Sequence, residues 1–204
     1  MKLHDMFSIT DLANALEDGY VRRQSHPTEP LAILNYTEKT AWESNWDDVT
    51  LACRGLIYNV DTLEVVARPF AKFFNYEQLP PGSLDLDAQV EVTNKEDGSL
   101  GILYPVPSGG YAVATRGSFA SDQALWATAW FRKYADYGYF NPKYTYLFEI
   151  LASWNRIVLS YDWEGLVLIG IIDKETGSDV DLPEDPGLLQ ARSPRDDSGE
   201  HEGQ

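Results

Sequence analysis

Short apolar runs of strand length, each closed by a turn signal, recur along most of this chain and restrict it to a sheet-rich fold. Residues 31–36 (LAILNY), 55–60 (GLIYNV) and 63–68 (LEVVAR) form the first group, the last two flanking Asp61-Thr62 as a hairpin. Residues 89–93 (QVEVT) and 100–106 (LGILYPV) then flank the pentapeptide Lys95-Glu96-Asp97-Gly98-Ser99, whose Asp-Gly pair permits the backbone to reverse. A strand at 111–116 follows the turn Pro107-Ser108-Gly109-Gly110. Strands at 144–151 and 166–173 come after it, with 156–160 extended between them. Only two stretches carry a helical period. In 9–17, Ile9, Leu12, Ala13 and Leu16 share a face behind a Ser8 or Thr10 cap; the other, 122–136, starts at Ser121 or Asp122. The pattern predicts an antiparallel-sheet-rich α+β domain over residues 1–174.

Beyond that point the texture changes. Pro, Gly, Ser, Asp and Glu dominate residues 175–204, and Val180, Leu182, Leu188 and Leu189 are the only sizeable apolar side chains. So little apolar surface cannot offset the entropy of ordering, and a disordered acidic tail is expected. The formal charge of −16 argues against a general nucleic-acid-binding surface. Ten acidic and three basic residues between 173 and 204 hold −7 of it, leaving −9 on residues 1–172. Cys53 is the single cysteine, so neither an internal disulfide nor a multi-cysteine zinc site is available. No membrane-length apolar run and no secretory leader pattern is present, which predicts a cytoplasmic protein.

Five segments combine into one chemical reading. Cys53-Arg54-Gly55 puts an arginine before a strand, and residues 68–75 (RPFAKFFN) set Lys72 among aromatics. Lys95 in KEDGS is a candidate nucleophile. Residues 115–118 (TRGS) bring Arg116 to a strand end, and Glu149 interrupts the apolar strand LFEI. Taken singly, each has a plain structural role. KEDGS can be an exposed turn, Arg54 and Arg116 surface charges, and Lys72 a stem lying over Phe73 and Phe74. Glu149 can be half of a structural ion pair. Together they suit nucleotidyl transfer to a lysine. A free lysine amine titrates near roughly 10.4 and is charged at neutral pH. Neighbouring cations would favour its neutral form, and would also offset charge on a triphosphate and on departing pyrophosphate. Mg²⁺ bridging phosphate oxygens is expected, with Glu149 accepting from ribose hydroxyls.

The ordered set resembles the covalent nucleotidyltransferases, and within them the adenylylation domain of the T4 RNA ligase 1-like family. The resemblance spans about 31–174 and rests on ILNYT, CRGLIY, RPFAKFFN, KEDGS, TRGS before a helix, and LFEILASWNRIVLSY. It implies an ATP-grasp-like ligase fold. Lys95 would be the lysine that becomes lysyl-AMP; Tyr36, Arg54, Lys72, Glu96, Arg116 and Glu149 would be ATP-binding. It further implies ATP and Mg²⁺, with AMP passed to an RNA 5′-phosphate and the end sealed by a 3′-hydroxyl.

The chain departs from the family in one respect. After the first glutamate motif the family continues to a second, E-G-x-V, and then to a K-x-K pair that assists attack on the α-phosphate. Glu164-Gly165-Leu166-Val167 has the letters of the former but follows NRIVLSYDW directly, where the family has the preceding strand. No K-x-K follows, since after Lys133 the only lysines are Lys143 and Lys174. The expectation is a truncated ligase or one part of a split enzyme, with a second polypeptide carrying both motifs. The alternatives are a catalytically silent nucleotide- or RNA-binding remnant, and an acidic interaction protein in which KEDGS is incidental.

Overall fold

The computed structural model describes residues 1–89, 94–155, 157–159 and 161–183, together with the backbone of 191–194. Of the expected strand at 89–93, residues 90–93 lie outside these, as do Arg156 and Ser160 of the segment between the last two long strands.

Two antiparallel sheets face each other. The first runs β1 (Val21–Ser25), β2 (Leu31–Tyr36), β3 (Arg54–Asn59), β4 (Val65–Ala67) in that order. The second is built from β5 (Ser99–Pro105), β6 (Tyr111–Thr115), β7 (Tyr144–Leu151), β8 (Trp163–Asp173) and the short β9 (Asp179–Val180) and β10 (Ala191–Pro194). Its order is β10-β8-β7-β5-β6, with β9 also paired to β8. Strand alternation sorts the side chains into layers. Leu31, Ile33, Ile57 and Ala67 of the first sheet meet Ile102, Tyr104, Ala112, Ala114, Leu147 and Ile172 of the second. On the outer face of the first sheet, Ala32, Leu34, Leu56 and Tyr58 pack with Leu12 and Ala15 of α1 (Ile9–Glu17). Outside the second, Leu103, Val113, Phe148 and Leu168 pack with Ala127 and Phe131 of α4 (Asp122–Tyr134). The result is four layers, helix–sheet–sheet–helix.

Both long helices start where expected. The Ser8 and Ser121 hydroxyls accept the amides of Asp11 and Ala124 at 3.3 and 3.2 Å. The short helices α2 (Glu38–Trp42) and α3 (Asp48–Ala52) carry no readable period because one turn is too brief to show one. The strand β1 has a single buried residue, Val21, and reads as polar loop. Within the acidic tail expected to be disordered, Asp179–Val180 and Ala191–Pro194 pair with opposite ends of the eleven-residue β8. Backbone pairing along this long edge needs no apolar side chains, so composition carries no sign of it. Residues 184–190 and 195–204 lie outside the described residues. No helix among the described residues is long and apolar enough to cross a membrane.

Candidate active site

The site grows out of two places where the chain is forced close to itself. At the start of β5, Leu100 pairs with Glu149 and Ser99 with Ile150. Gly98 then runs so near β7 that an added Cβ would collide with the Ile150 carbonyl and lie 2.7 Å from the Leu151 side chain. That approach lets the Gly98 amide donate to Glu149 Oε1 at 2.9 Å. The second place is Gly55, with φ +94°, where a Cβ would come 2.5 Å from Ile102 and 3.3 Å from the Arg116 backbone. Glycine here brings the head of β3 against the turn after β6. Arg54 precedes that contact, and Arg116 sits on the turn closed by Thr115 N donating to Ser118 O at 2.9 Å.

The KEDGS loop is pinned from its other side. Asp97 Oδ2 accepts the amides of Val158 and Leu159 at 2.6 and 2.7 Å, and the Asp97 amide donates to the Tyr161 hydroxyl at 2.9 Å. The Leu159 and Val158 amides, and the nearby Lys95 charge, hold the Asp97 carboxyl below its usual range. Ser99 Oγ donates to Asn155 Oδ1 at 3.1 Å, while Asn155 Nδ2 donates to the Ile150 carbonyl at 3.0 Å. Asn155 is buried, and Gln123 of α4 donates to the same Oδ1 at 3.2 Å, so one amide ties loop, β7 and helix together.

Around Tyr36 the predicted cations gather. Arg116 Nη1 donates to the Tyr36 hydroxyl at 3.1 Å. Arg54 is the partner of Asn35 in the β2–β3 register, with an irregularity there that sets Tyr36 beside it. Its guanidinium lies 4.7 Å from the Phe73 ring centroid. The Lys72 amide donates to the Leu51 carbonyl at 2.8 Å, which folds residues 70–75 back over the end of α3. Lys72 Nζ then sits 4.1 Å from the Phe74 ring and 5.5 Å from Trp46. Trp46 touches both Tyr36 and Phe74 edge-on. Burial lowers the pKa of Lys72, and Arg54 and Arg116 lower it further. Arg54 is also depressed, mainly by burial, and its Nη1 is buried with no hydrogen-bond acceptor.

Glu149 belongs to both groups. Burial raises its carboxyl above the usual range, against the opposing pull of the Gly98 amide and of Lys95; it is also a favourable neighbour of Arg54. Lys95 is exposed and feels both Glu149 and Asp97. It stands beside the cleft lining, which begins at Gly98, and not on its floor. Glu96 turns toward the Tyr161 hydroxyl. Glu164, the residue with E-G-x-V letters, spends Oε1 accepting from the Ser153 amide and hydroxyl at 2.8 and 2.7 Å.

A cleft of about 1010 Å³ opens between the two sheets. Arg22, Gln24, Arg54, Gly98, Ser99, Arg116, Gly117 and Ile157 are among its walls, and no acidic side chain lines it among the described residues. Four contributors were not foreseen. Arg22 lies on the unrecognised β1, Trp46 is one aromatic among many, and Asn155 and Tyr161 act through contacts distant in sequence. No local signal distinguishes any of them.

A family model described as RNA ligase, of the T4 RNA ligase 1 type, matches residues 52–185. The chain is also similar to a protein of Autographa californica nuclear polyhedrosis virus named as a bifunctional polynucleotide kinase/RNA ligase. Identity is 28% over 175 residues, covering 73% of this chain and 25% of the relative. The chain thus spans about a quarter of that relative's length.

Proposed function

The chain belongs to the RNA ligase family of the T4 RNA ligase 1 type, and on that footing we propose that it is an ATP-dependent nucleotidyltransferase forming lysyl-AMP at Lys95. The observation that carries this reading is the cleft beside KEDGS, into which Arg54 and Arg116 bring positive charge with no acidic side chain among its described lining residues, in a chain of net charge −16. A buried Arg54 N–H without an acceptor is costly unless a ligand oxygen completes it, and phosphate is the acceptor a guanidinium fits best.

In this mechanism ATP lies with its phosphates over Arg54, Arg116 and Lys72 and its base against the Tyr36–Trp46–Phe74 aromatics. Glu149 Oε1 is held by Gly98, leaving Oε2 to accept from the ribose. Lys95 Nζ, once it has given up a proton, attacks the α-phosphorus, the P–N bond forms, and pyrophosphate leaves with its charge offset by Arg54 and Arg116. An RNA 5′-phosphate oxygen then displaces lysine to form a P–O–P linkage. Attack of a 3′-hydroxyl on that 5′-phosphate releases AMP and seals the strand. The described residues contain no group of three or more His, Cys, Asp or Glu side chains able to hold a metal. A Mg²⁺ would therefore take its ligands chiefly from phosphate oxygens and water, where it offsets charge.

A second reading, a silent nucleotide- or RNA-binding protein of the same family, is favoured by Lys95 being exposed and outside the described cleft lining; these 204 residues also hold no K-x-K pair. Loss of one group acting on developing phosphate charge costs on the order of 10²–10³ in rate. Labelling is therefore expected to be slow in this chain alone and faster when a polypeptide carrying E-G-x-V and K-x-K is added. The test is incubation with α-labelled ATP and Mg²⁺, with and without that polypeptide. Label retained on protein and lost in Lys95→Ala supports the ligase; ATP binding with no label under either condition supports the silent reading.

A further inference from the structure

We infer that Arg22 and Gln24 on β1 form a second phosphate site in the cleft, which receives the 5′-phosphate of the RNA end separately from the nucleotide. This rests on the ligase reading above. Both side chains are exposed and line the cleft. Neither has a hydrogen-bond or ion-pair partner among the described residues, although both are strong donors.

The position of Arg22 is fixed by the turn opposite. Its guanidinium rests where a Cβ on residue 117 would be, so Gly117 makes room for it. That turn carries Arg116 on one side, facing Tyr36, and Arg22 against the next residue. The cations therefore fall into two sets. Arg116 bonds to Tyr36 and Arg54 stands at the neighbouring Asn35 register position, with Lys72 near enough for both to disfavour its charge, whereas Arg22 rests against Gly117. A cleft of about 1010 Å³ is at the upper end for a single small ligand, leaving room for a second phosphate-bearing group. In the transfer step that group has to arrive next to the nucleotide, since its oxygen attacks the α-phosphorus. Among the described residues, the β1 wall offers the one arginine of the cleft lining outside the Tyr36 set.

The experiment compares binding of a 5′-phosphorylated and a 5′-hydroxyl oligoribonucleotide of the same sequence by fluorescence anisotropy, alongside ATP binding by calorimetry. The full chain is used, with Arg22→Ala, Arg22→Lys and Arg54→Ala. The unsubstituted protein is expected to prefer the 5′-phosphate by about 10- to 100-fold, as a charged guanidinium–phosphate contact implies. Arg22→Ala should abolish that preference and leave ATP affinity within about twofold. Arg22→Lys should recover part of it, and Arg54→Ala should weaken ATP first. A preserved preference in Arg22→Ala, or loss of ATP affinity in that variant, would overturn the assignment. If the unsubstituted chain binds no ATP, the ligase reading fails, while the 5′-phosphate comparison still reports on Arg22 independently.

Discussion

Glu149 carries the sharpest conflict between stability and function in this chain. Burial raises its carboxyl value, and the Gly98 amide, Lys95 and Arg54 offset part of that cost. A carboxyl raised on folding makes its stabilising contribution below its unfolded value, near about 4.3, and loses it as pH rises through the folded value. At neutral pH the carboxylate therefore weakens the fold. Glu149→Gln keeps an acceptor for Gly98 and is expected to raise the unfolding midpoint at pH 7.5, with no gain near pH 3.5. ATP-dependent labelling should fall in the same variant. A lowered midpoint at pH 7.5 would show that the ion-pair attractions outweigh burial.

Among the elements, the loop that presents Lys95 owes its shape to Asp97. Two amides from the 157–159 segment end on its carboxylate, which is worth most when charged. Its carboxyl value is lowered on folding, so this contribution is present above the unfolded value near about 3.9 and is lost as pH falls through the folded one. Asp97→Ala is expected to speed amide exchange at Val158 and Leu159 while leaving the amides of β2 and β3 protected. The unsubstituted protein should show the same local loosening in acid. Equal acceleration across both sheets would mean that Asp97 supports the whole fold and not this loop. Ile157, Val158 and Leu159 are more than half exposed, which leaves the segment little packing of its own once these bonds go.

For the whole molecule, the cleft exists because two sheets pack through one apolar layer and meet at Gly55. Substituting alanine there places a methyl group against Ile102 and the Arg116 backbone at positive φ. Gly55→Ala is expected to cost about 1–3 kcal/mol of stability, as overpacking does. It should also weaken ATP binding, since Arg54 and Arg116 separate together. The measurement is denaturant unfolding paired with calorimetry. Destabilisation with unchanged ATP affinity would show that the cleft geometry does not depend on this contact. By contrast, Ile57→Ala lies in the inter-sheet layer away from the cations, and its expected cost is about 2–5 kcal/mol from the cavity it leaves.

Local chemistry by itself determined the long strands and both long helices with their serine caps, while the ordered set Arg54, Lys72, Lys95, Arg116 and Glu149 is legible through its resemblance to a known family. Alternation, capping and turn residues act over a few positions, so they are legible in a linear string. Strand β1, the edge pairing of β9 and β10, and the roles of Arg22, Trp46, Asn155 and Tyr161 were decided only in three dimensions. Arg22 looks like any solvated arginine until Gly117, ninety-five positions later, is folded against it. Asn155 is one polar residue among many until burial leaves it Ser99, Gln123 and the Ile150 carbonyl as partners. Contacts between distant segments are set by how the layers stack. That is a property of the packed core, and no single segment of sequence encodes it.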